Sequence, residues 1–333
     1  MGIQITFMDA GQGDATLIVY PDGSLTLIDC GCKKNKDIVQ GQIELVLNAF
    51  LGSTGNKLRN LILTHPDGDH YNLIDALLIK KNVTVGTVYY GGQASDYAGI
   101  SSWITKQTHV NFVQGFGSTA LVPGLSFDGQ GKIPNVEVRI LSANAGDPTV
   151  KADANPNSVV VCVTFLGLNF FLMGDSTELT EAFIVKNLGE DLDKLLAGKR
   201  SILKAGHHGS NTSSHQEWIK KIVPQVVFIS SDTRTFSGVS IPRSGVINRI
   251  FEFGKVFDFG SKFEHKYVQY NDSTDRHEQV STTLAMYTTL HLLKFANDTE
   301  FTAYGTSWNY NVDDVGNIAI WPACGWLDIN KDF

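Results

Sequence analysis

The stretch Thr64-His65-Pro66-Asp67-Gly68-Asp69-His70 decides how this chain is read. Four side chains able to bind a divalent metal, His65, Asp67, Asp69 and His70, fall within six positions. They follow Asn60-Leu61-Ile62-Leu63, an apolar run of β-prone residues that reads as a buried strand. A strand ending in a loop with Pro66 and Gly68 delivers such side chains to the edge of a sheet, where they can converge. Imidazole and carboxylate together suit Zn, Mn or Fe. Four donors exceed what one catalytic ion needs if more arrive from elsewhere, so the segment reads as half of a two-metal site. The competing reading is a polar turn that caps a helix, with Asn72 capping the apolar run Leu73-Ile74 and Leu77-Leu78. That reading suits any one of the four residues better than all of them together.

Three other segments repeat the layout of a strand followed by ligand residues. Phe170-Phe171-Leu172-Met173 ends in Gly174-Asp175-Ser176, Ser201-Ile202-Leu203-Lys204-Ala205 in Gly206-His207-His208-Gly209-Ser210, and Ser24-Leu25-Thr26-Leu27-Ile28 in Asp29-Cys30-Gly31. Each has a glycine beside the polar residues, which lets the backbone turn sharply. A single Gly-Asp after a strand is an ordinary turn, and His-His alone is ambiguous. Their repetition points to one shared centre.

These motifs resemble those of metallo-β-lactamase-fold hydrolases: His65-x-Asp67-x-Asp69-His70, Gly174-Asp175 and His207-His208-Gly209-Ser210. The opening Phe7-Met8-Asp9-Ala10-Gly11-Gln12-Gly13-Asp14-Ala15 and the segment Leu27-Ile28-Asp29-Cys30-Gly31 narrow the resemblance to the C-terminal hydrolase domain of ComEC-type competence (DNA-uptake) proteins. The motifs run from about residue 3 to about residue 255. The resemblance implies an α/β (α+β) chain folded as a four-layer αββα sandwich, with two mixed β-sheets and the metal site at one edge. It implies that His65 and Asp67 bind a first divalent ion, that Asp69 and His70 bind a second, and that Asp175 bridges both. One of His207 and His208 completes the second position; His208 is favoured as ligand and His207 as proton donor or phosphate contact. Asp29 matches the family's buried Asp, which orients residues of the metal site.

Two positions depart from the broad family pattern. Asp67 stands where a second His is usual, and the separate His that normally follows is replaced by Asn155-Pro156-Asn157-Ser158, with Asn157 taken as a bracing residue. Both changes occur in the competence-type branch. They make the first position richer in oxygen, which shifts preference toward Mn or Mg over Zn and weakens that position. The expected cofactors are therefore two divalent ions, Zn or Mn. The expected chemistry is hydrolysis by a metal-bound hydroxide, because paired ions bring the pKa of bound water toward about 7. Asp69 would orient it, while His207, Ser210 or Lys204 would neutralise substrate charge or protonate the leaving oxygen. An outward strand lysine such as Lys204 is more often merely solvated.

Three functions from different classes follow. A phosphodiesterase or nuclease comes first, with a phosphate ester as partner and nucleic acid among the candidates. A hydrolase of another ester (phosphorylcholine ester, lactone or thioester) comes second, and a non-catalytic metal-binding module third. The Gly11-Gln12-Gly13-Asp14 turn joins two strands, as Gly-rich hairpins do, and Asp14 is expected to brace the site or face substrate.

Composition agrees. The chain has 333 residues, 42% hydrophobic and 18% charged, enough for a large soluble core read here as one domain over 1–333. A net charge of −7 argues against broad non-specific nucleic-acid binding, though not against a local grip at Lys33-Lys34-x-Lys36 or Lys80-Lys81. Cys30, Cys32, Cys162 and Cys324 form no Cys-x-x-Cys pair and read as reduced packing residues of a cytoplasmic protein. No basic-then-apolar leader and no apolar span of membrane length is visible, so a free-standing soluble hydrolase is expected. Residues 91–135, rich in Gly, Ser, Gln and Thr around Trp103 and Phe112, are expected to form loops and a short helix over the site. Residues 258–316 match no family pattern; His265, His277 and His291 there read as packing or surface residues, and the aromatics as core before base-stacking platforms.

Overall fold

The computed structural model describes residues 2–34, 36–112, 115–117, 136–146, 154–233, 239–261, 264–295 and 301–322. Eighteen strands run along these residues. The first six are β1 (Ile3–Phe7), β2 (Thr16–Val19), β3 (Leu25–Ile28), β4 (Lys57–Leu63), β5 (Thr84–Tyr90) and β6 (His109–Asn111). Next come β7 (Val136–Ser142), β8 (Val160–Phe165), β9 (Leu168–Leu172), β10 (Arg200–Lys204) and β11 (Pro224–Ile229). The C-terminal third carries β12 (His265–Asn271), β13 (Arg276–Thr282), β14 (Met286–Thr288), β15 (Leu290–Phe295), β16 (Phe301–Gly305), β17 (Trp308–Val312) and β18 (Ile318–Pro322). The helices are α1 (Lys36–Leu51), the single turns α2 (Gly68–Tyr71) and α3 (Ser101–Ile104), α4 (Glu178–Leu196), α5 (Gln216–Ile222) and α6 (Ser244–Phe253).

Two mixed sheets carry the site. The larger has the order β18-β17-β1-β2-β3-β4-β5-β6, antiparallel up to β3 and parallel from β3 through β6. The smaller has the order β14-β11-β10-β9-β8-β7, with β9, β10, β11 and β14 parallel. Strand side chains alternate between faces, and here both faces are apolar, so each strand feeds two cores. On β4, Ile62 joins the core between the sheets while Leu61 and Leu63 pack under the first helical layer with Ile43 and Leu47 of α1. On β9 and β10, Phe170, Leu172 and Ile202 point between the sheets, whereas Phe171 and Leu203 meet Ile184 of α4, Trp218 of α5 and Ile247 of α6. Three cores separate four layers, the αββα arrangement expected. Each fully buried Leu, Ile or Phe contributes about 1.5–3 kcal/mol, so these continuous apolar strands hold the two sheets rigidly enough to support loops from both.

The two regions without family motifs are more regular than expected. Within 91–135, α3 supplies the expected short helix, while β6, the fourth strand of the parallel run, extends the larger sheet, and Phe112 packs between the sheets. Residues 113–114 and 118–135 lie outside the described residues. Within 258–316, β14 adds to the edge of the smaller sheet and β17 pairs with β1 in the larger one. Three aromatics of this segment fill the gap between the sheets: Tyr287 lies 4.9 Å from Trp308 and 5.2 Å from Phe228, and Tyr310 lies 5.1 Å from Phe170, centroid to centroid. They are core, not stacking platforms. His265 stacks on Tyr287 at 4.7 Å, and His277 bonds the Ile241 carbonyl at 3.1 Å, so both pack as read; the side chain of His291 lies outside the described residues. Cys30, Cys32 and Cys162 are buried free thiols, and Cys324 lies outside the described residues. Among the described residues no helix is long and apolar enough to cross a membrane.

Candidate metal centre

The carboxyl ends of β3, β4, β9 and β10 meet at one edge of the sandwich, and the side chains singled out in the sequence gather there. Asp175, in the turn after β9, is the hub. One carboxylate oxygen lies 3.2 Å from His70 Nε2 and 4.0 Å from His65 Nε2, and the other lies 3.5 Å from His208 Nε2. His65 Nε2 lies 3.6 Å from Asp67. Two three-donor groups, His65/His70/Asp175 and Asp69/His70/His208, each have their ligand atoms within 4.8 Å of one another. The six residues named as ligands are thus brought together from three loops, those after β4, β9 and β10.

The local backbone explains how. Asp67 begins α2, so Asp69 and His70 lie on its single turn and face inward. A side chain at Gly31 would place its Cβ 2.5 Å from the Asp69 carbonyl, so glycine is what lets the loop after β3 close on α2. Gly174 has φ 56 and sits where a Cβ would meet Thr64 at 2.9 Å, which aims Asp175 back across the gap. His207 and His208 both have positive φ, 44 and 53, an uncommon conformation for residues with side chains and one often held at functional sites. Asn72 does not cap the following helix: its side-chain amide makes two bonds to Cys32, at 3.1 and 2.7 Å, and ties the two loops together.

The hydrogen bonds fix the tautomers. The Thr64 hydroxyl and backbone N–H donate to Asp29 at 2.7 and 2.8 Å, so the Thr64 oxygen is left to accept from His65 Nδ1 at 3.0 Å. His70 Nδ1 donates to Asp29 at 2.7 Å, and His208 Nδ1 donates to the Ser230 carbonyl at 3.0 Å. All three rings therefore commit Nδ1 and turn Nε2 toward Asp175. His65 Nε2, His70 Nε2, His208 Nε2 and Asp175 Oδ1 are buried without a hydrogen-bond partner. Leaving four such atoms bare costs free energy. A divalent cation among nitrogen and carboxylate donors would satisfy them at once, so the residues fit the group the fold implies.

Electrostatics point the same way. Burial pulls the His70 pKa down, but the Asp175 and Asp29 carboxylates outweigh it and hold it well above the ordinary histidine range. Burial pushes Asp175 up, yet His208 and His70 leave it well below the ordinary carboxylate range. The His65 hydrogen bond chiefly lowers Asp67, whose side chain is 44% exposed. A site that draws a proton onto His70 when empty is a site short of positive charge.

The remaining expectations divide. Asp29 braces Thr64 and His70 as read. Of the histidine pair it is His208 that enters the cluster; His207 is partly exposed, bonds Thr212 Oγ1 at 2.7 Å, and has its pKa lowered by burial. Thr212 also contacts Ser210 Oγ at 3.3 Å, which places Ser210 beside His207. Asn157 is buried with its carbonyl bonded to the Asn144 amide, whereas Asn155 Nδ2 lies 3.5 Å from His207 Nε2. Lys204 departs from expectation. It reaches neither solvent nor an open substrate face: its ammonium is buried against the Asp14 carboxylate, because the β1–β2 turn folds over the end of β10. Sequence reasoning passed over Thr64, Ser158, Ser230 and Lys33. Ser158 Oγ accepts the Asp175 amide at 3.1 Å and lies 3.4 Å from His65 Nδ1, and Lys33 pairs with Asp69 at 3.1 Å. Ser230 was findable, since the apolar β11 ends in Ser230-Ser231-Asp232 in the same strand-then-polar layout.

The sequence profile of the metallo-beta-lactamase superfamily matches residues 8–230. The chain is similar to ComE operon protein 3 of Bacillus subtilis, 26% identical over 243 residues, which covers 68% of this chain and 28% of that protein. It is similar to Recombination protein 2 of Haemophilus influenzae, 27% identical over 251 residues, covering 75% and 26% respectively. The chain thus spans about a quarter of the length of these curated relatives. Among solved structures it is similar to the metallo-beta-lactamase fold protein YhfI from Bacillus subtilis, with 12% identity, a TM-score of 0.43, and coverage of 76% of this chain and 94% of that one. With a profile match that takes in every donor of the cluster, and those donors gathered where two mixed sheets share an edge, the chain belongs to the metallo-beta-lactamase superfamily.

Proposed function

We propose that this chain is a divalent-metal-dependent phosphodiesterase, with the phosphodiester of a nucleic acid as the first substrate to test. The observation that supports the reading is the placement of Asp175, one oxygen of which faces His65 and His70 while the other faces His208, beside the Asp69/His70/His208 group. In this reading His65 and Asp67 would hold one cation, Asp69, His70 and His208 would hold the other, and Asp175 would serve both. When bound, such a pair would supply Lewis acidity to a phosphoryl oxygen and lower the pKa of water toward about 7. The oxygen-rich donor set favours Mn over Zn at the Asp67 position. One of the similar proteins is named for recombination, a process of nucleic acids, which supports trying DNA first.

The chain's own groups do the rest. Asp69 orients the attacking water through its carboxylate, which is held in place by Lys33 at 3.1 Å. His207 stands beside the cluster with partial access to solvent, as a phosphate contact or as a relay that takes the proton of the attacking water and passes it to the leaving oxygen; Thr212 and Ser210 set its ring. Ser158 and Thr64 keep Asp175 and His65 aimed inward.

The test is hydrolysis of bis-p-nitrophenyl phosphate with Mn added, then with chelator, followed by single- and double-stranded DNA, RNA and cyclic dinucleotides. Activity should appear with Mn and vanish on chelation. Equal activity in the wild type and in Asp69→Ala or His70→Ala would overturn the proposal.

A further inference from the structure

The donors of the cluster come from two different sheets, and one buried ion pair joins those sheets beside it. Asp14 sits in the β1–β2 turn of the larger sheet; Lys204 is the last residue of β10 in the smaller one. Both side chains are 3% exposed, and they form a salt bridge. From Asp14 the contacts run in two directions. On the larger sheet, its backbone N–H donates to the Asp69 carbonyl at 3.1 Å, and its own carbonyl accepts the Gly31 amide at 3.1 Å. On the smaller sheet, its second carboxylate oxygen accepts from Ser230 Oγ at 3.4 Å, and the Ser230 carbonyl in turn holds His208 Nδ1 at 3.0 Å. Lys204 itself leads through Ala205 and Gly206 into the strained His207-His208 turn. A continuous path therefore runs from Asp69 to His208, two donors brought together across the sheets.

A buried ion pair is a poor source of net stability, because desolvating both charges offsets most of their attraction; its best-attested use is to fix a register. Apolar contacts between the sheets are non-directional and tolerate small sliding. A charged hydrogen bond is directional and tolerates little. Resting on the reading of the cluster as a metal centre, we infer that Asp14 and Lys204 are positioning residues that set the separation of Asp69 from His208, and with it the affinity of that half of the site for a divalent cation.

The sign of the Lys204 effect separates this from simple electrostatics. A lysine acting only through its charge repels a cation, so Lys204→Met would tighten metal binding. If Lys204 sets geometry, Lys204→Met weakens it. The experiment is calorimetric titration of the metal-free protein with Mn alone, together with its thermal unfolding. Wild type should bind two ions. Lys204→Met and Asp14→Ala should each weaken one of the two by about tenfold or more, the range seen when residues behind metal ligands are changed. The double variant should cost no more than either single one, as expected of groups that act as a unit. Because a lone buried charge can unfold the protein, a second pair keeps the question open to refutation. Asp14→Asn/Lys204→Gln carries no charge but retains a hydrogen bond across the sheets, and should bind both ions within a few-fold of wild type, whereas Asp14→Ala/Lys204→Met should not. Lower thermal midpoints with both affinities unchanged would overturn the inference and leave the pair a merely structural feature. So would tighter binding in Lys204→Met. A wild type that binds no Mn would instead sink the metal-centre reading on which the inference rests.

Discussion

The two halves of the donor cluster are built to different standards. Around Asp69, His70 and His208 every donor is buried and every one is braced: His70 by Asp29, His208 by Ser230, and Asp69 by Lys33 and by the Asp14 amide. Around His65 and Asp67 the support is thinner. His65 is fixed by Thr64 and Ser158, but the Asp67 side chain is 44% exposed and lies against His65 itself at 3.6 Å. Orientation held in advance removes an entropic and desolvation cost from binding, so the first group should hold a cation more tightly than the second. The substitution of Asp67 for a second histidine, visible in the sequence, is thus matched by looser packing that the sequence did not disclose.

Breaking the element common to both halves should have the largest effect. Asp175→Ala removes the carboxylate at the hub of the cluster and several kcal/mol of charge stabilisation, so hydrolysis in the presence of Mn should fall by roughly 10³-fold. Metal content by elemental analysis should fall with it. Retained stoichiometry would show that the halves do not share Asp175.

Removing a brace should come next. Asp29→Asn leaves His70 without its carboxylate partner and should weaken Mn binding by roughly 10- to 100-fold in the tighter half. The looser half serves as the internal control in the same titration. Asp67→Asn should do the reverse at smaller cost, abolishing or weakening only the weaker of two binding phases by about tenfold. If it removes the tighter phase, the ranking of the halves drawn here is inverted.

The smallest effect is a pH dependence. His70 carries a proton held well above its ordinary pKa, by Asp175 and Asp29 against burial, and must release it before Nε2 can serve a cation. Apparent Mn affinity should therefore rise with pH by up to about tenfold per unit below that raised value. The metal-free protein shows the opposite sign. A folded-state pKa raised above the unfolded one stabilises below the unfolded value of about 6.5 and loses that stabilisation as pH climbs through the raised value. Thermal midpoints of metal-free protein against pH, compared with those of His70→Gln, check both signs.

Much of this was legible in the chain. Apolar runs with no polar alternation read as strands buried on both faces, and their polar ends read as candidate ligands; β3, β4, β9 and β10 form as expected, and the six candidate donors gather at the ends of three of them. The C-terminal third was not legible, because β14 and β17 take their place only by pairing with β11 and β1, partners far away in sequence. A short strand carries no mark of which sheet will recruit it. Lys204 was misread for a related reason. A lysine at a strand end looks solvated until the turn bearing Asp14, which precedes it by 190 residues, is folded over it.

Local sequence by itself determined the chemistry: which side chains can donate to a cation, and that each follows a strand which must be buried. It also determined the oxygen-rich character of one half, since residue identity sets donor type. Tertiary structure alone decided the geometry. It chose His208 over His207, turned every Nε2 inward through Asp29, Thr64 and Ser230, and set an ion pair across the sheets, because distances between segments remote in sequence exist only once the cores between them are packed.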